Sequence, residues 1–426
     1  MKKPAVILRR CPDYDPAWIS EIIGQGIEEF GLGPRIKGRV TIKPNVVFAH
    51  HKVAPSAYTR SEFMDGVLTA LERLGAPDAS FTIAEKSGAA IPTSRMLRRA
   101  GYYRLKRKHR VRLAPIDEAK KVRVPLSKGV LHTNVRMSRD IASRDFLVYT
   151  PKLKSNVLAG GLTASIKLNI GILCDKERMW NHNYRLDDKI VDMLEVGYPD
   201  FIATDAVEAG IGGNQLTEHG WPLGAVIMSD NPLAHDVVCA HILHLDPEKV
   251  GHLRQARDRG YGSLDLGAID LRGDIGLDEL RARTKDWDLG FIPVTEVPCN
   301  IKVLSGEPYC TGGCQGVFLD WLYMIKDRKP KLWRKLPDWT AVIGEYSGDV
   351  AAKRVLLIGT CTKVKGKLKA RRRVRIRGCP PKHKTLVLFM FLRTGIIAPL
   401  FRVDLVIDSY LFLFFAWLRR IVKERL

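Results

Sequence analysis

The feature that most constrains this chain is the regular exchange of two hydrophobic periods through its N-terminal half. Short apolar runs at Ala5–Leu8, Arg39–Lys43, Ser80–Ala84, Phe146–Thr150, Phe201–Thr204 and Ala225–Ser229 read as strands. Helical patterns lie between them. In Ser61–Leu74, for example, Phe63, Val67, Leu68, Leu71 and Leu74 recur at helical spacing, and Gly75-Ala76-Pro77 then stops the helix. Strand–helix alternation of this kind specifies an α/β fold, a mostly parallel sheet with helices on both faces. No internal repeat and no low-complexity linker is visible.

Three segments follow from changes of character along the chain: an α/β domain over residues 1–290, a cysteine-bearing region over 291–384, and amphipathic or apolar helices over 385–426. In the last segment the apolar stretches Leu386–Leu392 and Tyr410–Leu418 are separated by Arg393, Arg402, Asp404 and Asp408. Neither reaches the roughly 20 apolar residues of a spanning helix. Trp417 beside Arg419-Arg420, with Lys423 and Arg425, suits a membrane-surface anchor, and a packing or dimerisation helix competes with it. Met1-Lys2-Lys3-Pro4 runs into only a short apolar stretch before Arg9, so a secretory signal is not expected. The expectation is a protein of the cytoplasmic side, peripheral at the inner membrane face.

Charge narrows the partners. The formal net charge is +23, and the stretch Thr362–Lys384 holds eleven Lys or Arg and no acid, with a second basic run at Arg98–Arg112. Such runs suit a solvated face or an anionic membrane surface. Nucleic acid is disfavoured because no aromatic residues interleave Thr362–Lys384, although Tyr102-Tyr103 lie in the other run. Gly160-Gly161 and Gly212-Gly213 lack dinucleotide-fingerprint spacing, and no Walker sequence occurs.

Chemistry-bearing residues gather at the predicted strand ends. Lys43, Lys152, Lys154 and Lys167 each end or flank a strand or turn, accompanied by Asn45, Ser165 and Asn169. Ligands of open α/β sheets bind at the carboxyl ends of strands. Four lysines with amide and hydroxyl groups there would take a carboxylate or phosphate, that is, a small anionic substrate. Glu85, Asp205 and Asp236 can serve as bases or metal ligands, and His182 as an acid–base group. The competing reading is that the lysines are surface residues paired with acids.

The order of these motifs carries a resemblance. Lys43-Pro44-Asn45, Thr59, Glu85, Tyr149–Lys154, Thr163–Gly171, Lys176, His182, Asp205-Ala206-Val207 with Gly210, Gly212 and Gly213, and Asn231–Asp236 together resemble the DUF362 family. The resemblance covers roughly residues 1–270 and implies an α/β domain of undefined activity, often linked to iron–sulfur chemistry. Where the family often has a histidine after its Pro-Lys-x-Lys motif, this chain has Ser155-Asn156. The ferredoxin-like module of some members is missing.

Eight cysteines stand at 11, 174, 239, 299, 310, 314, 361 and 379. The first three are isolated in largely apolar surroundings and read as buried, inert thiols. The last five crowd the final third, which in a reducing compartment points to metal or redox work. Cys310-Thr311-Gly312-Gly313-Cys314, then Gly359-Thr360-Cys361, then Gly378-Cys379-Pro380-Pro381 resemble the cluster loops of hydrogenase small subunits and a related quinone-reductase subunit. That resemblance implies a [4Fe–4S] cluster on Cys310, Cys314, Cys361 and Cys379, with Cys299 a substitute or spectator. Here the first loop spaces its thiols by three residues instead of two. Four cysteines suit tetrahedral zinc equally well, and unrelated thiols or a redox dithiol are further readings.

The function these features predict is an iron–sulfur redox enzyme or electron-transfer subunit, with an unidentified redox partner, taking a small anionic substrate in a lysine-lined cleft. The alternative is a non-catalytic anion-binding or membrane-associated scaffold with structural cysteines or zinc.

Overall fold

In a computed structural model, described over residues 3–89, 91–158, 160–213, 218–381, 390–396 and 403–425, the expected alternation becomes one large sheet. Along it run Asp270–Gly273, Ala5–Arg10, His219–Ser229, Phe201–Ile211, Phe146–Thr150, Arg39–Pro44, Ser80–Glu85 and Val111–Pro115. Neighbours are parallel except where His219–Ser229 pairs with Ala5–Arg10 and with Phe201–Ile211. Lys152–Asn156 adds to the far half of Phe201–Ile211, and Gly161–Thr163 folds back on it.

Alternation of side chains divides two cores across this sheet. Ile7, Val226 and Met228 face one, with Ile19, Ile23, Phe63, Val67 and Leu71 from the Pro16–Glu29 and Ser61–Leu74 helices. Val6, Leu8, Ala225 and Ile227 face the other, with Leu233, Val237 and Val238 of Pro232–Ile242. Each such fully buried side chain contributes about 2 kcal/mol of transfer free energy. Caps fix the helix starts: Asp15 accepts from Ala17 N–H ahead of Pro16, and Asn231 accepts from Ala234 N–H. Ser61–Leu74 has the bounds its periodicity predicts, whereas Phe201–Ile211 and His219–Ser229 extend well beyond the short runs read from sequence. Leu266–Ala268 is a single 3₁₀ turn before the Asp270–Gly273 strand.

A second sheet, Ile301–Ser305, Trp339–Tyr346, Val350–Val364 and Leu368–Ile376, is parallel throughout. Its register reveals a repeat that the sequence does not display. Val350 pairs with Leu368 and Ile358 with Ile376, each 18 residues apart, although only residues 365–367 separate the two strands. Parallel neighbours normally require a crossover of a dozen or more residues. The far half of Val350–Val364 supplies it, so the chain winds as a coil. One side of this sheet packs on the Cys314–Arg328 helix through Phe318, Trp321, Leu322 and Trp339.

Leu368–Ile376, the edge strand, carries much of the basic run. Lys369, Arg371, Arg372 and Arg373 are exposed, and Arg354 and Arg372 lie over the Trp339 ring at 5.8 and 5.7 Å. Charge along an exposed edge discourages pairing with another chain.

The C-terminal helices are Met390–Thr394, Val403–Ile407 and Leu413–Arg425, the last two joined by a π turn at Asp408–Phe412. Among the described residues no helix is long and apolar enough to cross a membrane. Residues 386–389 of the first apolar stretch, Arg402, and the side chains of Lys423 and Arg425 lie outside the described residues.

Candidate functional site

Two cysteine loops and an irregularity within the Val350–Val364 strand gather at the same end of the second sheet. Ile301–Ser305 leads to Cys310 and, at the start of the following helix, Cys314. Ile358 is followed by Gly359, Thr360 and Cys361, and Ile376 by Arg377, Gly378 and Cys379. Because these two strands are paired with an offset of 18 residues, Cys361 and Cys379 emerge in register. Thr360 N–H donates to Gly378 O, and Gly378 N–H to Thr360 Oγ1, each at 3.0 Å.

All four thiols come within electrostatic reach of one another, for Cys310 and Cys314 each feel Cys361 and Cys379. Burial pushes the Cys310 thiol up to about 11 and the Cys314 thiol well up, and nearby thiols push the same way. Nearby backbone N–H groups of Cys314 and Gly313 oppose that rise, and Gly313 N–H itself donates to Cys310 O at 3.1 Å. Asn183 Nδ2 donates to Cys379 Sγ at 3.6 Å. Gly359 stands where these sulfurs meet: at φ +102°, a Cβ there would lie 2.9 Å from Cys314 Sγ and 3.9 Å from Cys361 Sγ. Among the described residues no three His, Cys, Asp or Glu side chains approach closely enough to hold a single metal ion.

Cys299 stands apart, its thiol directed to Ile301 O at 3.5 Å. Of the three isolated cysteines, Cys11 and Cys239 are buried, whereas Cys174 is only half-buried.

The lysines sit at the carboxyl end of the large sheet, yet Lys43, Lys152 and Lys154 are buried instead of lining an open cleft, and Lys167 is half-buried. A buried ammonium requires a countercharge, and three lysines have one. Lys43 is bonded to Glu85 and to Pro44 O. Lys152 donates to Tyr14 OH at 2.7 Å and to Asp205 Oδ1 at 3.2 Å, while Tyr14 OH donates to the same carboxylate at 2.8 Å. Lys154 lies 3.3 Å from Glu218. Lys167 differs, since its ammonium donates to Thr163 Oγ1 at 3.2 Å. Burial, then the repulsion of Lys154, holds the Lys167 ammonium well below the ordinary lysine range.

Burial likewise raises Glu218 to about 7 against the pull of Lys154, Lys167 and Lys152. It raises Glu85 and lowers Lys43 despite their mutual attraction. Arg178, half-buried and donating to Ser87 O at 2.7 Å, adds positive charge felt by both Lys43 and Lys167. The basic side chains Lys43, Arg178, Lys167, Lys154 and Lys152 therefore outnumber the carboxylates bonded to them, Glu85, Asp205 and Glu218.

Other predicted residues have structural partners. Asp236 accepts from Ser165 N–H and Oγ–H and from Ile166 N–H at 2.7–2.8 Å, with His235 Nδ1 2.7 Å away. Those bonds fix the turn that carries Lys167. Asn169 Oδ1 accepts from Tyr149 OH, and Asn45 N–H donates to Thr59 Oγ1. His182 donates its backbone N–H to Met179 O at 3.3 Å and directly precedes Asn183, the donor to Cys379 Sγ. Tyr14, Arg178, Asn183 and Glu218 were not singled out from sequence. Arg178, two residues after Lys176 of the resemblance, and Asn183, next to His182, had a nearby signal.

Comparison with known proteins gives two similarities. Residues 40–241 are a DUF362 domain, by description a domain of unknown function. That span contains Lys43, Glu85, Lys152, Lys154, Lys167, His182, Asp205 and Asp236, and ends before the cysteine loops. The lactate racemase apoprotein from Thermoanaerobacterium thermosaccharolyticum is similar over 56% of this chain and 57% of its own, at 15% identity and a TM-score of 0.36. This chain thus spans a little over half the length of that structure. No curated protein matches the chain in sequence.

Proposed function

We propose that this DUF362-domain chain is an iron–sulfur redox protein in which Cys310, Cys314, Cys361 and Cys379 hold a [4Fe–4S] cluster and the lysines at the carboxyl end of the large sheet receive a small anionic substrate. The observation that carries the reading is the approach of four thiols from three parallel strands of the second sheet and the segments that follow them. The donor set fits the group: four thiols are the usual complement of a cubane, and glycine at 359 leaves the space between sulfurs clear. Such a cluster supplies one-electron transfer when bound.

The protein's own groups would do the rest. The Asn183 amide donor on Cys379 and the backbone N–H groups near Cys310 stabilise charge on sulfur. Lys154 holds the substrate's negative charge when Glu218 is neutral, with Lys167 beside it as a hydrogen-bond donor. Tyr14, bonded to both Lys152 and Asp205, can pass a proton between them. Val157 and Leu158 follow the Lys152–Asn156 strand directly and meet the helix that starts at Cys314, so the two sites share one segment of chain. The protein would work on the cytoplasmic side, peripherally at the inner membrane face.

Anaerobic purification with iron, sulfide and zinc analysis and a visible spectrum tests the reading. About four irons and four sulfides per chain are expected, with broad absorption near about 400 nm. Cys361→Ser and Cys379→Ser should each lose most of that absorption. Stoichiometric zinc, or colour that survives both substitutions, would remove the cluster assignment.

A further inference from the structure

The C-terminal helix is amphipathic the wrong way round for a helix packed on a protein. Its inner stripe steps through residues 404, 408, 412, 416 and 419, and that stripe is mainly polar. Asp404 meets His50 Nε2 at 2.9 Å, Asp408 meets Arg95 at 3.0 Å and Arg99 at 2.5 Å, and Arg419 meets Glu118 at 2.7 Å. Phe412 lies under Arg95 at 4.8 Å, and Ala416 is buried. The outer face is apolar and aromatic. Tyr410 (62%), Leu411 (49%), Phe414 (52%), Phe415 (41%), Trp417 (47%) and Leu418 (38%) all keep large exposed fractions.

A surface helix normally buries its apolar stripe and wets its charged one. Here ion pairs hold the helix lengthwise along the body, and that leaves a contiguous aromatic face outward. Contiguous exposed apolar surface marks a place where another apolar medium or partner is met. Charge at its margin selects which. Arg98, exposed, stacks on the Tyr103 ring at 4.3 Å, and Tyr103 lies within electrostatic reach of Arg419 at the end of the aromatic face. The basic run Arg98–Arg112 continues from there, on a chain of formal charge +23.

We infer that the outer face of residues 410–418 is a membrane-docking surface that lies flat on an anionic bilayer, with the Asp404 and Asp408 ion pairs fixing it to the body. Aromatic side chains would enter the interface between headgroups and acyl chains, and the basic margin would meet lipid phosphates. This goes beyond the redox reading and requires only its membrane-side part. The bound cluster is not needed.

The test uses the full chain and sedimentation with vesicles of phosphatidylcholine, with or without phosphatidylglycerol. Binding to the phosphatidylglycerol vesicles is expected, with at least about tenfold weaker binding to phosphatidylcholine alone. The double substitution Phe414→Ser, Trp417→Ser should lose at least about tenfold in vesicle affinity. Its melting temperature should stay unchanged, because those side chains already face outward. Protein that stays in the supernatant with both vesicle types overturns the inference. So does a dimer in sedimentation velocity that the double substitution dissolves, because a second copy then covers the face. Iron and sulfide content, measured on the same samples, report on the cluster separately.

Discussion

Glu218 and Lys154 pose the sharpest question at the scale of single residues, because each is buried and neither is fully neutralised by the other. The carboxyl is raised to about 7, first by burial, so the folded protein holds a proton there that the unfolded chain has released. A carboxyl raised in this way favours folding most at low pH, and that contribution is lost as pH rises through about 7. The same proton controls the local charge. Below about 7 a neutral Glu218 leaves Lys154 uncompensated; above it, the carboxylate competes with any bound anion. Sulfate, whose own charge is constant over this range, should therefore bind progressively more weakly above about pH 7, by up to about tenfold per unit for one linked proton. Glu218→Gln should flatten that profile, measured by calorimetry. An unchanged slope in the variant would assign the dependence to another group. At this scale the sequence was half legible. Lys43, Lys152, Lys154 and Asp205 declared themselves by standing at strand ends. Tyr14 and Glu218 come from remote segments, and nothing in their neighbours signals which lysine they will meet.

Elements show the same division. Ser61–Leu74 and the short parallel strands were readable because a single face or a continuous apolar run states the period outright. The 18-residue coil was not, for its two turns share register without sharing composition. Val355, Leu356 and Leu357 in one turn stand opposite Arg373, Val374 and Arg375 in the next, because the second strand is an edge and carries charge outward. Only the buried alternation survives, and it is too short to announce a repeat. The coil nevertheless explains why cysteines 18 residues apart converge. Its corner at Gly359 is the point to test. Gly359→Ala forces a side chain into a left-handed conformation at φ +102° and sets a methyl 2.9 Å from Cys314 Sγ. Strain of this kind costs about 1–3 kcal/mol. The substitution should lower the melting temperature and reduce bound iron in proportion to the displaced thiol. Full iron with only a lowered melting temperature would mean that the corner shapes the fold without shaping the site.

The molecule as a whole depends on how its two sheets are joined. Leu158 packs against both the core beneath the large sheet and the core of the second sheet. At the same place the Cys314–Arg328 helix approaches backbone closely: a Cβ at Gly316 would fall 2.1 Å from Thr311 O, 2.3 Å from Leu158 Cδ2 and 3.2 Å from Val157 O. Gly312 likewise meets Asn183 O and Leu186, and Arg328 donates to Val53 O at 2.7 Å. Contacts of that closeness transmit strain instead of absorbing it, because packed interiors compress little. The lysines and the cysteine loops should accordingly unfold together, in one calorimetric transition. Gly316→Ala tests the joint. The added methyl must push the helix away from Leu158, at a cost of about 1–3 kcal/mol for overpacking. If the joint is what couples the sheets, the single transition should split, the earlier step following the second sheet and carrying the loss of iron. A single transition that merely moves to lower temperature would show that cooperativity passes through other contacts, such as Arg328 with Val53. The two sites would then remain mechanically linked even with this joint loosened.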